Sequence, residues 1–116
     1  MREHKNNCLV QYDKDKSRLM LLGMSLVEIE LPPESSKKMS TRKGVSVLVI
    51  NPGSESYRGG VRNGDIVAEV DNVRIKSLKM LRSVLAHHDP HDPIFMFLLT
   101  GGIWRFVNLS FITGNV

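Results

Sequence analysis

Apolar and polar positions along the chain repeat at two spacings, and they divide it into short elements. Residues 19–31 are apolar with partial alternation and read as one strand entered through Gly23. Met24, Leu26 and Glu28 fall on one face of it, and Ser25, Val27 and Ile29 on the other. Pro32-Pro33 ends the strand, because proline cannot donate to a ladder. Residues 33–43 are rich in Ser, Lys and Thr and read as an exposed loop holding at most a short helical turn. Gly44 opens a second strand over 45–50, where a near-continuous β-branched run predicts burial on both faces. Asn51-Pro52-Gly53-Ser54 is a turn, and Ser54 caps a short helix that Gly59-Gly60 stops.

Beyond the turn at Asn63-Gly64-Asp65 lies a strand over 66–70. Asp71-Asn72 makes a hairpin turn into a short strand at 73–75. Ser77 is a good N-cap for the one clear helix, 78–87, where Leu78, Leu81, Val84 and Leu85 form an apolar stripe. Residues 88–93 contain Pro90 and Pro93 and form a loop. Strands over 94–99 and 103–112 flank Gly101-Gly102 as a hairpin. The predicted fold class is mostly β with two helices: a small antiparallel barrel or sandwich capped by one long and one short α-helix.

Composition narrows the picture. A chain of 116 residues is one domain on length. Residues 1–18 read as a flexible N-terminal segment, 19–113 as the domain and 114–116 as a tail. Aromatic residues are only 6%, so the core must be built from Val, Leu, Ile and Met. The longest apolar runs, 19–22, 45–50 and 94–99, are too short to span a bilayer, and no secretory h-region follows Met1. A single cysteine, Cys8, excludes an internal disulfide framework. It favours a soluble protein of a reducing compartment, cytosol or an organelle stroma or matrix, over a secreted one. The net charge of +4 invites a nucleic-acid reading, but the basic residues are scattered and Asp13 and Asp15 interrupt them. No basic face carries interleaved aromatics, so nucleic acid is not an expected partner.

Candidate chemistry is sparse. His87, His88 and His91 with Asp89 and Asp92 have metal-ligand residue types, but Pro90 breaks the register that would align them. No metal or cofactor is expected. Isolated Ser, His and Asp residues sit in no motif that activates a nucleophile. Asp65 reads as a turn carboxylate.

The order of elements resembles a PDZ domain, in the form attached to Deg/HtrA (protease Do-like) serine proteases. Leu21-Leu22-Gly23-Met24-Ser25-Leu26 is similar to that family's carboxylate-binding loop and the strand after it. The block from Gly44 through Asn51-Pro52-Gly53-Ser54 to Gly60-Val61-Arg62-Asn63-Gly64-Asp65-Ile66-Val67 resembles its P-G-S and G-D motifs at the right distance. Val70 to Ile75 resembles its V-N-G-x-x-V, and Ser77-Leu78 with Leu81-Arg82 matches the start of its long helix. Glu55-Ser56-Tyr57 and Asp71-Asn72 depart from the pattern, in turns and the short helix only.

The resemblance implies a peptide groove and no catalysis from this chain alone, since the family's proteases place their Ser-His-Asp triad in a separate domain. An extended peptide would add as a strand beside residues 24–29, with the long helix as the other wall. Its carboxylate would be held by Leu21, Leu22, Gly23 and Met24, with Arg18 or Lys16 adding long-range charge. Ser25, Leu26, Glu28, Leu78, Arg82 and Leu85 would line the groove. Apolar walls favour a C-terminal Val, Leu, Ile or Phe. Leu78 stands where many PDZ domains carry a histidine for Ser or Thr, which implies an apolar preference there too. The implied partners are C-terminal or extended peptides with apolar termini and a protease domain in a longer parent. The competing reading is an assembly module whose groove is blocked or self-occupied, for instance by residues 113–116, which end in Val116.

Overall fold

The structure, a computed structural model, describes residues 10–12, as backbone, and 17–110. Eight strands and three helices follow one another among them: β1 (Val10–Tyr12), β2 (Arg18–Leu21), β3 (Met24–Glu30), α1 (Pro33–Met39), β4 (Lys43–Ile50), α2 (Glu55–Arg58), β5 (Ile66–Val70), β6 (Val73–Arg74), α3 (Leu78–Ala86), β7 (Ile94–Thr100) and β8 (Ile103–Leu109). The strands form one antiparallel sheet in the order β1-β2-β3-β4-β5-β7-β8, with β6 paired to β5. The sheet does not close, so the sandwich form of the predicted class is the one adopted. Cys8, Lys16 and residues 113–116 lie outside the described residues.

Three sequence expectations are corrected. The single strand predicted over 19–31 is a hairpin: Leu22 and Gly23 take left-handed φ values of 49° and 87°, and the chain folds back on itself. The predicted loop over 33–43 holds a third helix, α1. Only its Met39 is buried, so no apolar stripe announces it. Pro33 at its first position, Glu34 in the first turn and Lys37 and Lys38 in the last favour it instead. The strand over 45–50 is not buried on both faces. Leu48 is skipped in the pairing of β4 with β3, and Leu48 and Val49 are 47% and 50% exposed.

The main core lies between the sheet and α3. It joins Leu19, Leu21, Met24 and Leu26 to Leu78, Leu81 and Leu85, and continues through Val67, Val70, Ile94, Met96 and Leu98. A smaller cluster of Leu31, Met39, Ile66, Ala68 and Leu99 seats α1. Aliphatic side chains and methionine build both, as the sparse aromatic content requires.

Candidate functional site: the valley between β3 and α3

Ser77 starts α3 as predicted: its hydroxyl accepts from the Met80 amide at 3.1 Å. Leu78, Leu81 and Leu85 turn inward from α3, and Met24 and Leu26 turn inward from β3. These apolar residues meet in one buried seam, the valley between β3 and α3 once β2 is set aside. Glu28 crosses its far end, where Oε1 accepts from the Leu78 amide at 2.9 Å. A carboxylate at the start of α3 satisfies an orphan amide and opposes the helix dipole. Glu28 therefore fastens the two walls together. Ser25 is buried on the opposite face of β3, by the alternation of the strand, and its hydroxyl has no protein partner. Arg82 is half-buried on α3.

The near end of the valley is the Leu22-Gly23 turn, and a neighbouring loop holds it. The Asn51 amide donates to the Gly23 carbonyl at 2.9 Å and the Ser56 amide to the Leu22 carbonyl at 3.3 Å. The buried Ser56 hydroxyl donates to the Leu21 carbonyl at 3.5 Å. A Cβ on Gly23 would lie 2.2 Å from the Ser54 Cβ. The glycine is thus required by the approach of residues 51–56 and by its own positive φ. Leu22 is half-buried against the core.

The strand edge expected to be open beside residues 24–29 is taken. β4 pairs with one edge of β3 and β2 with the other, setting Arg18, Leu19, Met20 and Leu21 opposite Val27, Leu26, Ser25 and Met24. Leu19 and Leu21 are wholly buried in the cluster that includes Leu78, Leu81 and Leu85. Arg18 is at the far end of β2 from the turn, so the structure does not bring it to the carboxylate loop. A surface pocket of about 520 Å³ lies elsewhere, between Pro32, Pro33, Ile66, Leu99 and the Gly101-Gly102 turn.

Two polar clusters centre on Asp65 and His88. Asp65, almost wholly buried, accepts from the Arg62 amide at 2.9 Å, from the Thr100 hydroxyl at 2.9 Å and from the Arg105 guanidinium at 3.2 Å. It is the turn carboxylate the sequence suggested, with two long-range partners that sequence spacing could not show. Among the histidines, His88 sets Nδ1 against the Asp71 carboxylate and Nε2 against the Asp92 carbonyl. Burial works against its charge, but the Asp92 carbonyl and the Asp71 carboxylate outweigh burial and raise its pKa above 6.5. Both ring nitrogens face acceptors, which the doubly protonated ring satisfies together. His87 meets the Ser83 carbonyl instead, and His91 meets Asp89. No metal-binding group of three such residues forms among the described residues.

This architecture has counterparts. No family model matches the chain. The PDZ domain of HtrA3, solved with a phage-derived ligand (FGRWV), superposes with a TM-score of 0.58 at 19% identity, over 80% of this chain and 83% of that one. The HtrA-type protease AlgW, solved with a decapeptide, superposes with a TM-score of 0.60 at 20% identity, over 77% of this chain and 27% of that one. In sequence, 82 residues are 29% identical to the periplasmic pH-dependent serine endoprotease DegQ of Escherichia coli (strain K12). This chain has the PDZ fold, and its sequence is similar to that of a Deg/HtrA-type protease.

The match covers 71% of the chain and 18% of the DegQ protein. The PDZ domain is a non-catalytic module of such proteases, as the sequence reading held for this chain alone. The preference for a reducing compartment finds no support, since the relative is named as periplasmic. Among the described residues no helix is long and apolar enough to cross a membrane.

Proposed function

We propose that this PDZ domain binds extended peptide segments with apolar side chains by strand addition at β3, serving substrate recognition or regulation for a protease domain. The observation that carries the reading is the apolar seam between β3 and α3, bounded at one end by the glycine turn and at the other by Glu28, and filled by Leu19 and Leu21 of β2. Leu78 at the helix start offers no hydrogen bond to a polar ligand residue, which favours ligands apolar there as well. Solved relatives carrying a peptide or phage-derived ligand support the same use. Fluorescence polarisation against a library of C-terminal peptides tests it. Micromolar binding of peptides ending in Val, Leu, Ile or Phe is expected, with weakening on C-terminal amidation. Absence of carboxylate-dependent binding across the library sinks the carboxylate-terminal form of the reading.

A second reading, assembly through an occupied groove, draws on the pairing of both edges of β3. Mass measurements across concentration, on chains with and without Val116, separate it: a monomer throughout argues against it.

A further inference from the structure

We infer that Arg18–Leu21 is the built-in ligand of the β3 groove, and that an outside ligand is an extended segment with large apolar side chains two residues apart, as Leu19 and Leu21 are. The inference rests on reading the valley as the peptide site. Three observations carry it.

β2 runs antiparallel to β3 and ends at the Leu22-Gly23 turn, the direction of a peptide whose C-terminal end enters that turn. Its side chains alternate as a bound peptide's must: Leu21 opposite Met24 and Leu19 opposite Leu26 are wholly buried, whereas Met20 is half-buried and Arg18 exposed. The strand also uses the remaining edge of β3, since β4 holds the other.

A segment tied to its site by two residues competes at an effective concentration of order millimolar or above. An outside peptide then binds with its intrinsic affinity reduced by the fraction of molecules in which β2 has left. The groove is gated by its own strand, and the pattern of that strand is a template for what displaces it. Leu22 at φ 49° is an L residue in the left-handed region, so the turn that seats β2 carries backbone strain.

A disulfide between β2 and β3 tests this. Arg18 and Val27 are directly opposite, exposed and half-buried, and cross-strand partners lie within disulfide reach. The full chain would carry Arg18→Cys and Val27→Cys with Cys8→Ser. The probe is a fluorescein-labelled Arg-Leu-Met-Leu peptide with a free carboxylate. Binding to the reduced form is expected to be about tenfold or more tighter than to the oxidised form. An Arg-Ser-Met-Ser peptide should bind neither. In the parent chain, the probe should strip hydrogen-exchange protection from residues 18–21 and leave 24–27 protected.

A second variant guards against misfolding of the cystine form. Met20→Pro removes a ladder donor from β2 without touching a core leucine, and should bind the probe several-fold tighter than the parent. Equal binding of the probe by oxidised and reduced forms overturns the built-in ligand and leaves peptide binding standing. So does unchanged affinity in Met20→Pro. Binding of the serine peptide as tightly as the probe overturns the apolar spacing. Absence of probe binding by the reduced form, the oxidised form and Met20→Pro alike overturns the peptide reading and this inference together.

Discussion

The β2–β3 and β7–β8 hairpins turn through two residues each, yet different forces hold them. At Leu22-Gly23 the strands present Leu19, Leu21, Met24 and Leu26 to the core, and residues 51–56 grip the turn from outside. At Gly101-Gly102 nothing lies within 4 Å of a Cβ placed on either glycine. One face of the second hairpin is a ladder of its own aromatics: Phe97 stacks on Trp104 at 5.0 Å and Phe95 on Phe106 at 5.7 Å, with Phe106 63% exposed. Both hairpins bury one face in the core, but the turn of the first is gripped by residues 51–56, whereas the turn of the second stands free and its outer face is held by its own aromatics. The hairpin whose turn is held from outside is the one beside the candidate groove.

The sharpest way to break this contrast is to truncate one side chain in each hairpin. Leu21→Ala should cost about 3 kcal/mol, since a wholly buried leucine leaves a cavity. Phe106→Ala should cost about 1 kcal/mol or less, the worth of an exposed aromatic pair. Urea unfolding of the two variants measures both, and equal losses would erase the distinction. Next come the turns. Gly23→Ala should cost about 2–3 kcal/mol, because its φ is +87° and the new methyl meets Ser54 at 2.2 Å. Gly101→Ala, with a φ of +55° and open space, should cost about 1 kcal/mol.

A smaller effect separates the helix side of the groove from the aromatic hairpin. The pKa of His88 is raised in the fold, so its stabilisation is complete below its unfolded value and is lost as pH rises through the folded one. Stability should therefore fall as pH rises above the ordinary histidine value of 6.5, and His88→Gln should flatten that slope. Denaturant midpoints measured below and above that value check it. The least change is expected from Glu28→Gln, which keeps an acceptor at the start of α3 but removes its charge. A loss of about 0.5 kcal/mol in the same assay is the expected worth of the helix-dipole contribution.

Much of this was legible along the chain. Ser54 and Ser77 announce their helices because capping is local chemistry, and Asp71-Asn72, with φ values of 51° and 69°, announces its hairpin for the same reason. The P-G-S and G-D blocks carried the family resemblance. α1 was missed because a helix with one buried residue leaves no hydrophobic period, although its proline start and charge order were visible. The split of residues 19–31 was missed because an apolar run reads the same whether it continues or folds back. Only the grip of residues 51–56 and the left-handed Leu22-Gly23 pair decide between the two.

Apart from α1 and the β2–β3 split, the amino-acid sequence by itself determined the element order, the caps, the aliphatic core and the residues able to wall a groove, because each depends on neighbours a few positions away. The tertiary structure alone decided what lies in that groove. Which strand takes the second edge of β3, where Glu28 sends its carboxylate and which distant groups reach Asp65 and His88 are settled by partners 17 to 50 residues apart, or by a choice between strands. Short-range preferences do not reach that far; packing and hydrogen-bond satisfaction do.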